Sequence, residues 1–298
     1  MKDSKFTQAR AELLLSSLIL ARSTSFVMSK VGIRSLDTFN LLGLRFLIAF
    51  LFLLPFGWNH LKHLSIKTLL NGLLLGASFF AVMAAEITGL KTTNASTVAF
   101  LENTAIVFVP LFESVLRRTL PKAYVVVSTL FCIFGVALLT IRGRKLFLTS
   151  GELFCLLAAG LYAASIILTD RISKQNDPFT LGIIQVGSLG IFAIITSYFV
   201  EQPRPPASPL EWQVVLGLAI ICSSFGFTLQ PLAQSRIPSN RVGLFCALSP
   251  IGASICGLLF LGESIGLREV FGMLLILLGM FALQIWERAT IFRKQPVI

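Results

Sequence analysis

The sequence predicts an all-α integral membrane protein of ten transmembrane helices, arranged as two inverted five-helix repeats. Three observations lead there. The first is composition: the 298 residues are 55% hydrophobic and 13% charged, with a mean hydropathy of +0.83. A soluble chain carries about 25% charged residues, so there is too little polar surface here to cover a globule. The second is pattern: apolar runs of about 20 residues without strict alternation fit helices spanning a bilayer and exclude a β-barrel. The third is internal repetition. A shift of 144 residues pairs Asn240 with Ser96, Glu263 with Thr119 and Gly279 with Gly135, and a shift of 140 pairs Glu152 with Glu12, Ser165 with Ser25 and Asp177 with Asp37. Repeats with an odd number of spans must enter the membrane from opposite faces.

Taken in order, the apolar runs place spans near 12–30, 38–57, 67–89, 95–115, 122–141, 150–169, 179–200, 211–234, 241–262 and 268–287. The first repeat covers residues 1–145 and the second 146–298. The opening segment has Lys2, Lys5 and Arg10 ahead of Leu13–Leu15, as a secretory signal would. Arg22 interrupts its apolar core and it aligns with the internal segment from Glu152, so it is expected to remain as the first helix. Connections are short, which makes neighbouring spans antiparallel. The stiff segment Pro203–Pro209 accounts for the difference between the two shifts. Lys and Arg concentrate in the loops on the N-terminal side, including Lys62, Lys67, Arg118, Lys122, Arg171 and Lys174. Both termini are therefore expected to be cytoplasmic, with the Arg142–Lys145 cluster on the other side. The net charge of +11 serves attraction to anionic lipid rather than to nucleic acid.

Ionisable groups inside spans are the candidates for function, since each costs at least about 2.5 to 3.5 kcal/mol at a helix centre. Arg22 is a counter-charge for an anionic or zwitterionic substrate, or else a structural partner of Glu86 or Glu102. Glu86 and Glu102 are candidates for binding an ammonium group or a coupling proton; exposure at the membrane interface is the alternative for Glu86. Asn103, Tyr162, Gln185, Phe245 and Ser249 complete the candidate substrate-binding set. Arg45 reads as structural because Gln185 takes its place in the second repeat, and Glu113 reads as the partner of Arg117 at i,i+4. Pro110 and Pro250 remove backbone hydrogen bonds within spans and are candidate hinges. Five cysteines lie in apolar runs with no C-x-x-C pair, and His60 and His63 lie in a loop. Neither set makes a metal site, so buried free thiols and solvated histidines are expected.

With those residues in view, the chain resembles the EamA-type drug/metabolite transporter superfamily from about Leu13 to Trp286. The matching stretches are Arg45-Phe46, Gly89–Ser96, Gln234–Asn240, Ser249-Pro250 and Leu261–Glu263. The resemblance implies a cavity lined by the first four helices and the sixth to ninth, with the fifth and tenth peripheral. It also implies alternating-access export of small metabolites, often amino acids, across a bacterial cytoplasmic membrane. Arg22 departs from the family's usual Trp and favours a ligand bearing a carboxylate. Ile106 stands opposite Pro250, and Arg117–Thr119 opposite Leu261–Glu263. The expected activity is secondary export of amino acids or similar zwitterions, with a multidrug or sugar-phosphate carrier as the alternative and a receptor or scaffold as a distant one. No span carries a His, no nucleophile or Walker motif appears, and no enzyme activity, metal or other cofactor is expected. The partners expected are the metabolite, membrane lipid and a candidate coupling proton, in a monomer or homodimer.

Overall fold

A computed structural model describes residues 8–62, 64–116, 118–142, 145–146, 149–237 and 248–293. The first half contains α1 (Gln8–Gly32), α2 (Thr38–Leu61), α3 (Ile66–Thr92), α4 (Ala95–Asn103), α5 (Ala105–Leu116) and α6 (Ala123–Thr140). The second contains α7 (Ser150–Ser173), α8 (Pro178–Val200), α9 (Pro209–Gly217), a wide π turn (Leu218–Phe225), α10 (Gly226–Thr228), α11 (Gln230–Gln234), α12 (Leu248–Cys256), a second π turn (Gly257–Leu261) and α13 (Leu267–Arg293). Between the halves, Ile141–Arg142 and Lys145–Leu146 pair as a minimal antiparallel ladder. Among the described residues seven spans are long and apolar enough to cross a membrane, and Ala123–Leu138 and Leu248–Leu261 are shorter apolar helices. With the 27 residues of α13, they make the ten spans of an EamA-type membrane fold.

Local chemistry fixes where several helices begin. Ser65 accepts the Thr68 amide at 3.1 Å to start α3, and Thr149 and Glu152 form a reciprocal capping box on α7. Asp177 followed by Pro178 starts α8, and Ser208 followed by Pro209 starts α9. In contrast, α2 and α4 follow Asp37 and Asn94, whose side chains make no cap bond. Their first amides are satisfied from the other half of the chain. Glu201 accepts from the Phe39 and Asn40 amides at 3.0 and 2.9 Å, and Glu263 accepts from the Ala95 and Ser96 amides at 2.6 and 3.2 Å. A carboxylate at a helix N-terminus meets both unpaired N–H groups and the positive end of the helix dipole.

The helix pairings are exchanged when the two halves are exchanged. α1 packs on α12 as α7 packs on α4 and α5, α2 packs on the first π turn as α8 packs on α3, and α2–α8 and α6–α13 pair across the dyad. In the α6–α13 pair, Gly135 lies against the backbone of Gly272 and Gly279 against that of Ser128, so a Cβ at either would come within 3 Å of a carbonyl oxygen. Arg118 and Gly262, aligned by the repeat, have φ of 52° and 63° and are the left-handed residues among those described. Each turns the chain back after a span. Glu263 touches the start of the span Ala95–Leu116, whereas Arg118 follows its end. At 1.5 Å per residue those ends are about 33 Å apart, which is the separation that inverted halves require.

One expectation needs correction. The fourth span is not continuous through Pro110: it breaks at Thr104, and Pro110 lies within α5. Asn103 Nδ2 donates to Ala99 O at 2.7 Å and Thr104 Oγ1 to Leu101 O at 2.6 Å, so side chains compete for the carbonyls of the last turn of α4. Arg45, read as structural, lies in the interior. It is 1% exposed, and donates through Nε to Ser223 Oγ at 3.0 Å and through Nη1 to Ser29 Oγ at 3.3 Å.

Candidate functional site

Ile19, Arg22, Ser25 and Phe26 of α1, Glu86 of α3, Glu102 and Asn103 of α4, Tyr162 of α7 and Ser249 of α12 line one narrow cavity between the halves. It has room for on the order of one water molecule. Six of the residues singled out in the sequence thus meet at one place, although they come from five helices far apart in the chain. Every lining residue belongs to the helices expected to line it, and the α6–α13 pair stands apart.

Arg22 is held from the second half. Its Nη1 donates to Tyr162 Oη at 3.1 Å and to Gln230 Oε1 at 2.9 Å, and its Cζ stands 4.3 Å from the centre of the Phe227 ring. Phe227 is fixed in turn by edge contacts with Phe46 and Phe79, at 5.2 and 5.7 Å between centroids. Stacking on an aromatic face supplies about 0.5 to 2 kcal/mol and leaves the guanidinium edge available. Among the described residues Nε and Nη2 make no hydrogen bond, and they are not sealed from the cavity. The structural pair with Glu86 or Glu102 considered from sequence is therefore not formed as a direct contact.

Glu86 and Glu102 are 3% and 2% exposed, which removes interface exposure as a reading of Glu86. Both carboxyls line the same cavity. Glu102 Oε2 is buried without a hydrogen-bond partner. The site thus holds a cationic fork and a carboxyl pair across one small space, with an open donor edge on one and an unused acceptor on the other. A buried acceptor of this kind is costly to leave unsatisfied.

The other candidates fall elsewhere. Gln185 does not line the cavity: it is 1% exposed on the face of α8 that packs against Gly76 of α3, and neither atom of its amide has a partner. Phe245 and Cys246, like His63 and Arg117, lie outside the described residues. Pro250 sits in the first turn of α12 next to the cavity residue Ser249. Cys132, Cys155, Cys222 and Cys256 are unpaired. Gln230 and Phe227 were not in the candidate set. The one was a polar residue among several within spans, and the other one Phe among 26, so no local signal set them apart.

Beyond the cavity, a clamp holds the turn between α3 and α4. Lys30 Nζ donates to Thr93 O at 2.8 Å and also to Leu90 O, holding the last carbonyls of α3. Glu263 holds the first amides of α4, and Ser96 Oγ donates to it at 2.6 Å. Arg204 adds a two-pronged bond to Glu211, at 2.9 and 3.0 Å, and donates to Ser35 O at 2.7 Å. The bonds of Arg204 to Ser35, of Glu263 to Ala95 and Ser96, and of Glu201 to Phe39 and Asn40 join the two halves at this end.

Comparison with known proteins agrees with this architecture. A 26% identical relative, an uncharacterized transporter of Archaeoglobus fulgidus, aligns over 92% of this chain and 96% of its own. The threonine/homoserine exporter RhtA of Salmonella typhimurium is 26% identical over 95% of this chain and 90% of its own, and RhtA of Escherichia coli K12 is 26% identical over 83% and 79%. A solved structure superposes with a TM-score of 0.73 at 16% identity, covering 95% of this chain and 99% of the other, which shows the shared fold. The profile of the EamA-like transporter family matches twice, at residues 9–141 and 149–284, once over each half. The chain belongs to the EamA-like transporter family and is a multi-pass membrane transporter.

Proposed function

We propose that this transporter exports amino acids or similar small zwitterions across the cytoplasmic membrane, by alternating access between halves that meet near residue 145. The observation that carries this reading is the pairing, on one cavity, of an arginine with a free Nε/Nη2 edge and a buried carboxyl oxygen with no partner. A guanidinium edge takes a carboxylate through two parallel hydrogen bonds, and Glu102 takes the ammonium on the other side. The carboxyl pair also offers a coupling device. In this reading a proton carried by Glu86 or Glu102 leaves when the ammonium arrives and returns when the substrate departs. RhtA, a relative, is a threonine/homoserine exporter, and Ser25, Asn103 and Ser249 at the cavity wall suit a short polar side chain. Arg22 disfavours a lipophilic cation as substrate, because such a ligand would meet like charge. We assign the Arg171 end and both termini to the cytoplasmic side, from the excess of Lys and Arg at that end.

The test is substrate flux in proteoliposomes with threonine, homoserine and their carboxamides. Wild type should prefer the acids. Arg22→Gln removes about 1.5 to 3 kcal/mol of charge-assisted bonding, which is about 10- to 100-fold in apparent affinity, and the preference for acid over amide disappears. Unchanged affinity and preference in Arg22→Gln and Glu102→Gln would remove the assignment.

A further inference from the structure

The seam between α5 and α7 holds a groove of about 450 Å³ that belongs to no part of the cavity. It is lined by Phe112, Val115 and Leu116 of α5 and by Ala164, Ile167 and Leu168 of α7, with Arg171 at its rim. We propose that this groove binds one anionic phospholipid, with an acyl chain along the apolar floor and the phosphate on Arg171.

The groove lies beside a difference between the repeats. Where the second half has Gly252, whose missing Cβ lets α12 lie against Ser23 of α1, the first half has Phe108. Phe108 packs with Phe112, 6.1 Å between rings, against the core that includes Ala163 and Ile167. Beyond this ring pair the groove runs toward the ends of α5 and α7. Both helices run the same way and terminate at the same end, so the gap opens there onto the surrounding membrane. From Ala164 to Arg171 it extends about 10 Å along the helix.

Nothing polar on the groove floor would hold a hydrophilic substrate, whereas an acyl chain fills such a gap with the contacts that packed side chains would otherwise make. The headgroup follows from charge. Asp170, beside Arg171, is engaged with Lys174 at 2.8 Å, and Arg118 and Lys122 follow α5 at the same end. The rim therefore offers Arg171 as a cation while Asp170 is engaged with Lys174, and attracts phosphate as polybasic segments do at anionic membranes. A zwitterionic headgroup brings its own cation into the same field.

Native mass spectrometry of the full-length protein in detergent, with phosphatidylglycerol or phosphatidylcholine added, tests the site directly. Wild type should retain one phosphatidylglycerol under conditions that strip phosphatidylcholine. Arg171→Gln should reduce that retention about fivefold, the factor expected for one basic residue at an anionic headgroup, while Arg171→Lys keeps it. Ala164→Phe, which fills an exposed part of the groove, should abolish retention with an unchanged melting profile. Equal retention of the two lipids by wild type, or an undiminished preference in Arg171→Gln, overturns the proposal. Because lipid retention is read without any flux, its failure leaves the substrate reading standing, and the reverse holds too.

Discussion

The two seams that join the halves, α1 with α12 and α5 with α7, are related by the repeat and yet differ in what fills them. In the first, Gly252 gives close approach to Ser23, and Lys30 and Glu263 grip the α3–α4 turn from two sides. In the second, Phe108 stands in the place of Gly252 and the positions equivalent to Lys30 and Glu263 are Asp170 and Thr119. The caps repeat the contrast. Asp177 caps its own helix α8, while its counterpart Asp37 leaves α2 to Glu201 of the other half. Duplication thus supplies two equivalent seams, and a handful of residues decides how tightly each is held. The energetic difference rests on charge-assisted bonds, each about 1.5 to 3 kcal/mol, a size that a bound substrate can overcome.

The largest way to break the contrast is Gly252→Leu. A Cβ there would lie 2.4 Å from Ser23 Oγ, and overpacking of this kind costs about 1 to 3 kcal/mol. The closed seam should open, and flux in proteoliposomes should fall about tenfold or more while the protein still inserts. Next comes Glu263→Gln, which weakens the hold on the Ala95 and Ser96 amides by about 1.5 kcal/mol, about tenfold in the population of the closed end. Labelling of a single cysteine at Asn103, in a background free of other cysteines, should become faster from the Glu263 side; an unchanged rate would mean that the clamp does not close the site.

The smallest effect lies at the other end, where Asp177 joins His60 at 3.0 Å. Burial pushes the Asp177 carboxyl up, but hydrogen bonds from the Thr180 hydroxyl and amide and from His60 outweigh it and hold the group below its ordinary value. A depressed carboxyl contributes stability that is fully present above its unfolded value of about 3.9 and is lost as pH falls through the folded one. Asp177→Ala should lower stability by about 1 kcal/mol near neutral pH, as cap removals do. In thermal melts, the gap from wild type should shrink in acid below about pH 4; a gap that grows there would reverse the sign.

The sequence carried the scaffold well, because bilayer thickness and the helix period write themselves into runs of apolar residues, and because the repeat can be found by sliding the chain on itself. Arg22, Glu86 and Glu102 stood out since an intramembrane charge needs a reason. What could not be read is who meets whom. Gln230 and Phe227 lie more than 200 residues from Arg22, and no periodicity reports a contact across that distance. Arg45 and Gln185 illustrate the same limit: aligned by the repeat, one is buried among serines and the other lies against α3 without a partner. The clamp did leave a trace, since Glu263 aligns with Thr119 and so marks a charge that one half has and the other lacks. Its target, the bare N-terminus of α4, becomes visible only in three dimensions.

Alternating access is the claim on which the rest depends, and electron–electron distance measurements test it most directly. Spin labels at Lys91 and Gly266 report the Glu263 end, and labels at Leu120 and Lys174 report the Arg171 end; all four positions are exposed. On adding threonine or homoserine to protein in nanodiscs, the first distance should lengthen while the second shortens. Distances that both stay fixed under saturating substrate, or that both lengthen together, would contradict the account.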